Sequence, residues 1–180
     1  MANRTIKYIR ESLKNARGTL EATMADVTEP VAHVDPAGTA HSIAATYAHV
    51  IASEDGIVNG MLKNTALLAA TAFKNKTGLS LPHPEMNAEW EKNYKAWAKA
   101  LVVNLAQLRE YAQAVYKMTD EYLASLTDES LEEPVDVSSI GMGQVTKAYI
   151  VDRFLVGHTD NITGEIAVLK GTQGLKGYPF

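Results

Sequence analysis

The stretch that decides the fold runs HSIAATYAHVIASE over residues 41–54. Its large apolar side chains recur every three or four residues, as they do along one face of an amphipathic helix. The same face continues to Val58 and Met61. We predict one long helix here, with Asp35 as its N-cap and Pro36 in its first turn. The large apolar residues of residues 41–54 are Ile43, Tyr47, Val50 and Ile51.

Three other segments carry the same helical periodicity, and prolines separate them. The six prolines leave four long proline-free stretches, and proline breaks helix interiors. Asn104 is a predicted N-cap of the third helix. The additional apolar stripes run over 6–24, 105–126 and 148–169.

The four periodic segments together predict the fold class. We expect an all-α fold, a four-helix bundle, with a shorter connecting helix over 87–100 between helices two and three. Neither a repeat nor a linker divides the chain, so residues 1–180 are expected to form a single domain. The one extended piece that the sequence favours is short, at 135–137.

Composition and charge exclude several function classes. The chain of 180 residues is 46% hydrophobic and 21% charged, which is typical of a soluble globular protein. A net charge of −4 argues against electrostatic nucleic-acid binding, which needs a basic face. No apolar run is long enough to span a bilayer, and the charged residues 1–10 do not resemble a secretory signal. With no cysteine to form disulfides or thiolate ligands, the expected location is cytoplasmic.

Histidines are the residues most suited to chemistry in this sequence. His158 lies on the apolar stripe of the last helix, where it is either a core histidine, a ligand or a general base. His49 is flanked on its own helical face by Ala45, Ala52, Ser53 and Gly56. Such small residues leave room either for another helix to approach closely or for a cavity.

The remaining histidines and carboxylates receive less weight. His41 reads as a surface or cap residue, and His33 and His83 lie in loops near prolines. Glu54 and Glu165 either orient an imidazole or are simply solvated charges. Trp90, Tyr94 and Trp97 follow helical spacing and are expected to pack in the core. No standard nucleotide, zinc-protease or serine-hydrolase motif occurs in the sequence.

Three segments, taken in order, resemble the DinB-like (damage-inducible) family of bundle proteins. They are residues 41–54, the run LREYAQAV over 108–115, and the ending from His158 through 164–166 to GTQGLKGYPF at 171–180. The resemblance covers most of the chain. It implies a four-helix bundle, often homodimeric, in which many members bind a divalent metal through three histidines. Some members are thiol-dependent transferases, and others resemble metal-dependent hydrolases.

The metal ligands implied by this resemblance are incomplete in the present chain. Family members place one histidine on helix two and an H-x-x-x-H pair on the last helix, where residues i and i+4 share a face. His49 corresponds to the first ligand and His158 to the first member of the pair, but Ile162 stands at the second and cannot bind a metal. Asn161 is a candidate substitute in the pocket through its amide oxygen, and Glu54 or Asp55 is another if helix two is rotated favourably. We expect a divalent ion (Zn, Ni or Mn) to be absent or weakly held.

Three hypotheses for function follow from this pattern. The first is a metal-dependent hydrolase or thiol S-transferase that uses His49 and His158 and takes its thiol from a cosubstrate. The second is a metal-free, small-molecule-binding or stress-linked homodimeric module, which Ile162 favours. The third is a purely structural homodimer in which the histidines fill the core.

Overall fold

The computed structural model describes residues 3–87 and 89–180 and confirms an all-α bundle. Two helices are extended by π-helical turns: Gly56–Leu62 continues α3, and Ile150–Gly157 leads into α7. One hairpin accompanies the helices, with β1 (Pro134–Asp136) antiparallel to β2 (Gln144–Thr146). The helices are α1 Arg4–Met24, α2 Glu29–Ala32, α3 Ile43–Asp55, α4 Trp90–Ala100, α5 Leu105–Ala124, α6 Lys147–Tyr149 and α7 His158–Thr172.

The four long helices, α1, α3, α5 and α7, form the bundle. Helix α1 packs against α5 and α7, and α3 packs against the same two helices, so α1 and α3 lie on a diagonal. The buried apolar side chains form two clusters along the bundle. One lies around Tyr47, Leu108 and Ile166, and the other around Leu13, Leu123 and Leu155.

Helix starts show where local sequence signals succeed and fail. Asn104 caps α5 as predicted, because its side chain accepts the N–H of Gln107 at 3.0 Å. The predicted cap at Asp35 is wrong. Gly38 adopts a left-handed conformation (φ +82°) that interrupts any helix there, and Ser42 caps α3 instead.

The connecting helix is confirmed as α4, beginning at Trp90. Ala88, which the prediction included, lies outside the described residues. The short extended piece predicted at 135–137 is the strand β1. In the part of the chain that the structure describes, no helix has the length and apolarity required to cross a membrane.

Candidate histidine site

Three imidazoles from three different elements meet beside α3, and we refer to His49, His83 and His158 as the histidine cluster. Nδ1 of His49 lies 2.9 Å from Nε2 of His83. The ring centroids of His49 and His158 are 4.9 Å apart. The structure therefore brings together the two histidines singled out from the sequence, and it adds a third from a loop that had been given little weight.

The loop carrying His83 is held in place by its neighbours. Pro82 and Pro84 flank the histidine and restrict the backbone on either side. At the base of the loop, the carbonyl of Gly78 accepts the N–H of Asn104 at 2.8 Å. Gly78 has φ +80°, and a Cβ at this position would lie 2.6 Å from the backbone oxygen of Asn104. Glycine is thus required where the loop meets the start of α5.

Aromatic rings from α4 cover the histidine cluster. Tyr94 lies 4.8 Å from His49 and stacks on Trp90, while Trp97 meets His83 edge to face at 5.0 Å between centroids. Trp97 is 5% exposed, which confirms the predicted core role for this residue. Trp90 and Tyr94 are only half-buried and form a lid of rings over the imidazoles.

Burial keeps the imidazoles uncharged. It lowers the pKa of His49 to about 2, with the nearby His158 and His83 adding to the effect. Burial also lowers the pKa of His83 to about 4, and it lowers the pKa of His158. All three rings are therefore neutral near pH 7, and a neutral imidazole offers one nitrogen lone pair as an acceptor or ligand.

His49 has one further polar neighbour on its own helix. Ser53 Oγ lies 3.2 Å from the same Nδ1 that faces His83. The hydroxyl, one helical turn along, therefore helps to fix the orientation of the His49 ring.

Glu54 lies away from the imidazoles and belongs to a separate carboxylate cluster, which comprises Arg17, Glu54, Asp55, Tyr111 and Thr119. Five helical residues turn the chain by about 140° relative to His49, so Glu54 faces α1 and α5 instead. Its carboxylate pairs with the Arg17 guanidinium and accepts the Thr119 hydroxyl at 2.6 Å. Asp55 accepts the Tyr111 hydroxyl at 2.6 Å.

The other residues considered from the sequence are dispersed. Ile162 is buried in the bundle core and Asn161 is exposed. His41 meets Tyr94 edge to face at 5.0 Å, and its charge opposes the rise in the pKa of Glu165 that burial causes. His41 and Glu165 therefore lie at the rim of the site. His33 accepts the N–H of Val103 at 3.0 Å and holds a loop in place.

The histidine cluster has the donor chemistry of a metal site but not a complete geometry. Two ligands on a tetrahedral zinc are about 3.3 Å apart, given bonds of about 2.0–2.1 Å, so the facing nitrogens of His49 and His83 are nearly correctly spaced. Within residues 3–87 and 89–180, no three histidine, aspartate or glutamate side chains stand ready to hold an ion together. His158 does not complete the set in its present orientation.

A pocket of about 810 Å³ borders the histidine cluster. Ser53 and His83 lie on its wall, together with Ala52 and Gly56. Three of the four small residues flanking His49 therefore border an open pocket, which was one of the two alternatives that the sequence had left open.

Fold and site together define a helical bundle in which a histidine cluster, drawn from α3, α7 and a loop, lies beside a pocket bordered by α3 and the loops that follow it. The chain belongs to the DinB superfamily, whose family model matches residues 12–161. Its fold is similar to that of a conserved protein from Enterococcus faecalis known from a crystal structure. The TM-score is 0.75 at 21% sequence identity, over 93% of this chain and 95% of the other. The comparison with curated proteins finds no match.

Proposed function

We propose that this DinB-superfamily chain binds one divalent transition metal through His49, His83 and His158. The observation that carries the proposal is the 2.9 Å approach of His49 Nδ1 to His83 Nε2. Two neutral imidazoles at this distance share one proton, and a metal ion can take the place of that proton with little movement. His83 would thereby replace the ligand that Ile162 cannot supply.

The donor set favours Zn²⁺ or Ni²⁺ among the expected ions. Imidazole nitrogen suits these borderline metals, whereas Mn²⁺ prefers oxygen ligands. Because the pKa values of His49 and His83 are about 2 and about 4, no proton must be displaced from a cationic ring at neutral pH. A bound ion would supply a Lewis acid that activates water or a thiol, in line with the hydrolases and thiol transferases that the chain resembles.

The chain's own residues have three separate tasks in this proposal. The three imidazoles would bind the metal ion, and Ser53 orients His49. Trp90 and Tyr94 shield the rings from bulk water, because they stack on each other and both lie against the His49 ring.

A metal-free binding module is the second candidate, and one observation favours it. The His49–His83 hydrogen bond satisfies both facing nitrogens without an ion. Ile162, buried beside α3, presents an apolar side chain where family members present a ligand.

Metal content and metal titration distinguish the two candidates. Untagged protein, purified without chelator or metal column, is analysed for transition metals and then titrated with Ni²⁺ and Zn²⁺ by calorimetry. We expect near one equivalent per chain, and His83→Ala should lower the affinity by well over tenfold. His33→Ala removes another loop histidine outside the cluster and should leave metal affinity unchanged.

A rescue experiment excludes misfolding as the cause of a loss. Ile162→His restores the i, i+4 pair with His158 and should raise affinity by well over tenfold, both alone and in the His83→Ala background. Absence of binding in the folded wild type would overturn the metal proposal in favour of the metal-free module. Unchanged affinity in His83→Ala would remove His83 from the ligand set.

The resemblance also implies a homodimer. Multi-angle light scattering during size-exclusion chromatography measures the mass directly. A monomeric mass at micromolar concentration would contradict this part of the proposal.

A further inference from the structure

We infer that the pocket beside His83 is a binding site for an uncharged, mainly apolar small molecule. This inference rests on the pocket itself and does not require a metal to be bound. Its volume of about 810 Å³ lies within the range of about 300–1,000 Å³ found for small-molecule sites.

The walls of the pocket are mainly apolar and come mostly from α3, its π-helical extension and the loops that follow. The π-helical extension of α3 contributes Ile57 and Met61. The loops that follow contribute Leu67, Leu79 and Leu81. An apolar ligand that displaces water from such a surface gains about 25 cal/mol for each Å² that it buries.

Charge on the wall favours a neutral ligand. Lys74 and Glu85 are the charged residues on the described lining, one of each sign. An ion therefore gains little net attraction to offset its loss of hydration. Ser53 and His83 supply a hydroxyl and an imidazole for one hydrogen-bonding head group.

The outer wall of the pocket is preformed, because the carboxylate cluster holds it. The Asp55 carboxylate accepts the backbone N–H groups of Leu68 and Ala69 at 3.1 and 3.0 Å. Asp55 is fully buried, and these bonds fix the segment from which Leu67 and Ala69 face the pocket. Little chain ordering is then needed when a ligand binds.

One glycine allows the pocket to be filled without disturbing the backbone. A Cβ added at Gly56, which lines the pocket, would have no other atom within 4 Å. Gly56→Leu should therefore occupy ligand space while keeping the helix. Gly18→Leu is the matched control, since Gly18 is also helical, has equally open space and lies on α1 outside this pocket.

The test compares three probes of one shape and different charge. Binding of 1-octanol, octanoate and octylammonium is measured at pH 7 by saturation-transfer NMR and calorimetry, on the 180-residue chain treated with EDTA. We expect saturable one-to-one binding of 1-octanol, with the two ions at least tenfold weaker. Gly56→Leu should weaken 1-octanol binding at least tenfold, and Gly18→Leu should leave it unchanged.

Each contrary outcome has a defined meaning. Failure of 1-octanol to bind the folded wild type, or equal binding by Gly56→Leu, would overturn the assignment of the site. Tighter binding of either ion would overturn the neutral ligand class. Because EDTA removes metal throughout, these outcomes are independent of those from the Ni²⁺ and Zn²⁺ titrations.

Discussion

The carboxylate cluster and the histidine cluster lie on different faces of the same helix, and they differ in how deeply they are buried. Glu54 and Asp55 are 4% and 0% exposed, and both carboxylates receive several donors. The three imidazoles are half-buried, and the rings of His83 and His158 reach α3 from a loop and from α7. One cluster is closed within the bundle, whereas the other borders a pocket.

This difference separates polar groups that stabilise the fold from those available to a ligand. A buried charge is tolerated only when partners replace its hydration, so the carboxylate cluster must be complete. Neutral imidazoles cost far less to bury and keep lone pairs for another partner. We therefore expect substitutions in the first cluster to alter stability and substitutions in the second to alter binding.

The largest expected effect on stability comes from removing the Arg17 charge. Arg17→Met leaves the Glu54 carboxylate buried without its counter-charge and should lower the free energy of unfolding by about 3–5 kcal/mol. Urea denaturation followed by circular dichroism measures this change. Adding Glu54→Leu should recover most of the loss, because the unpaired charge is then removed. A cost below about 1 kcal/mol for the single substitution would contradict the structural role of this pair.

An intermediate effect is expected at the base of the loop carrying His83. Gly78→Ala places a methyl group 2.6 Å from the backbone of Asn104 and forces alanine into the left-handed region. The conformational cost alone is about 1–2 kcal/mol, and the steric contact adds to it. Gly38→Ala, with similar φ but no atom within 4 Å of the added Cβ, isolates the conformational part. Equal losses in denaturant for the two variants would show that the close approach at Gly78 is unimportant.

The smallest effect on stability is expected in the histidine cluster itself. His83→Phe replaces a neutral ring by another ring among Trp90 and Trp97, so the free energy of unfolding should change by less than about 1 kcal/mol. The same protein should lose more than tenfold in affinity for Ni²⁺, measured by calorimetry. If His83→Phe unfolds the protein, or if it keeps full affinity for Ni²⁺, the assignment of stability to the carboxylate cluster and binding to the histidine cluster is contradicted.

Sequence patterns predicted the parts of this molecule that depend on local periodicity. The helical stripes placed His158 on an inward face, and the small residues flanking His49 indicated room beside it. The cap at Asn104 was predicted because the residue acts on the turn that follows it. At Asp35 the same argument failed, because Gly38 adopts a left-handed conformation that a helix starting at Asp35 cannot contain.

Contacts made by loops could not be predicted in this way. His83 has no helical periodicity to give it a direction, and its approach to His49 depends on distant contacts at Gly78 and Asn104. The one available signal was the rigid sequence Leu-Pro-His-Pro at 81–84, which restricts how a histidine can be presented. For Glu54, counting the helical rotation from His49 would have placed it on another face.

The π-helical segment before α7 makes the position of His158 less sensitive to the exact length of the chain before it. A π turn closes its hydrogen bond over one residue more than an α turn, so Ile150–Gly157 accommodates extra chain within a continuous helix. In a helix that stays α throughout, one residue more or less rotates everything beyond it by about 100° and shifts it by about 1.5 Å. The π turns absorb much of that change, because deleting one residue from this segment would let it relax to α geometry. A one-residue deletion here should therefore leave α7, and with it His158, close to its present place.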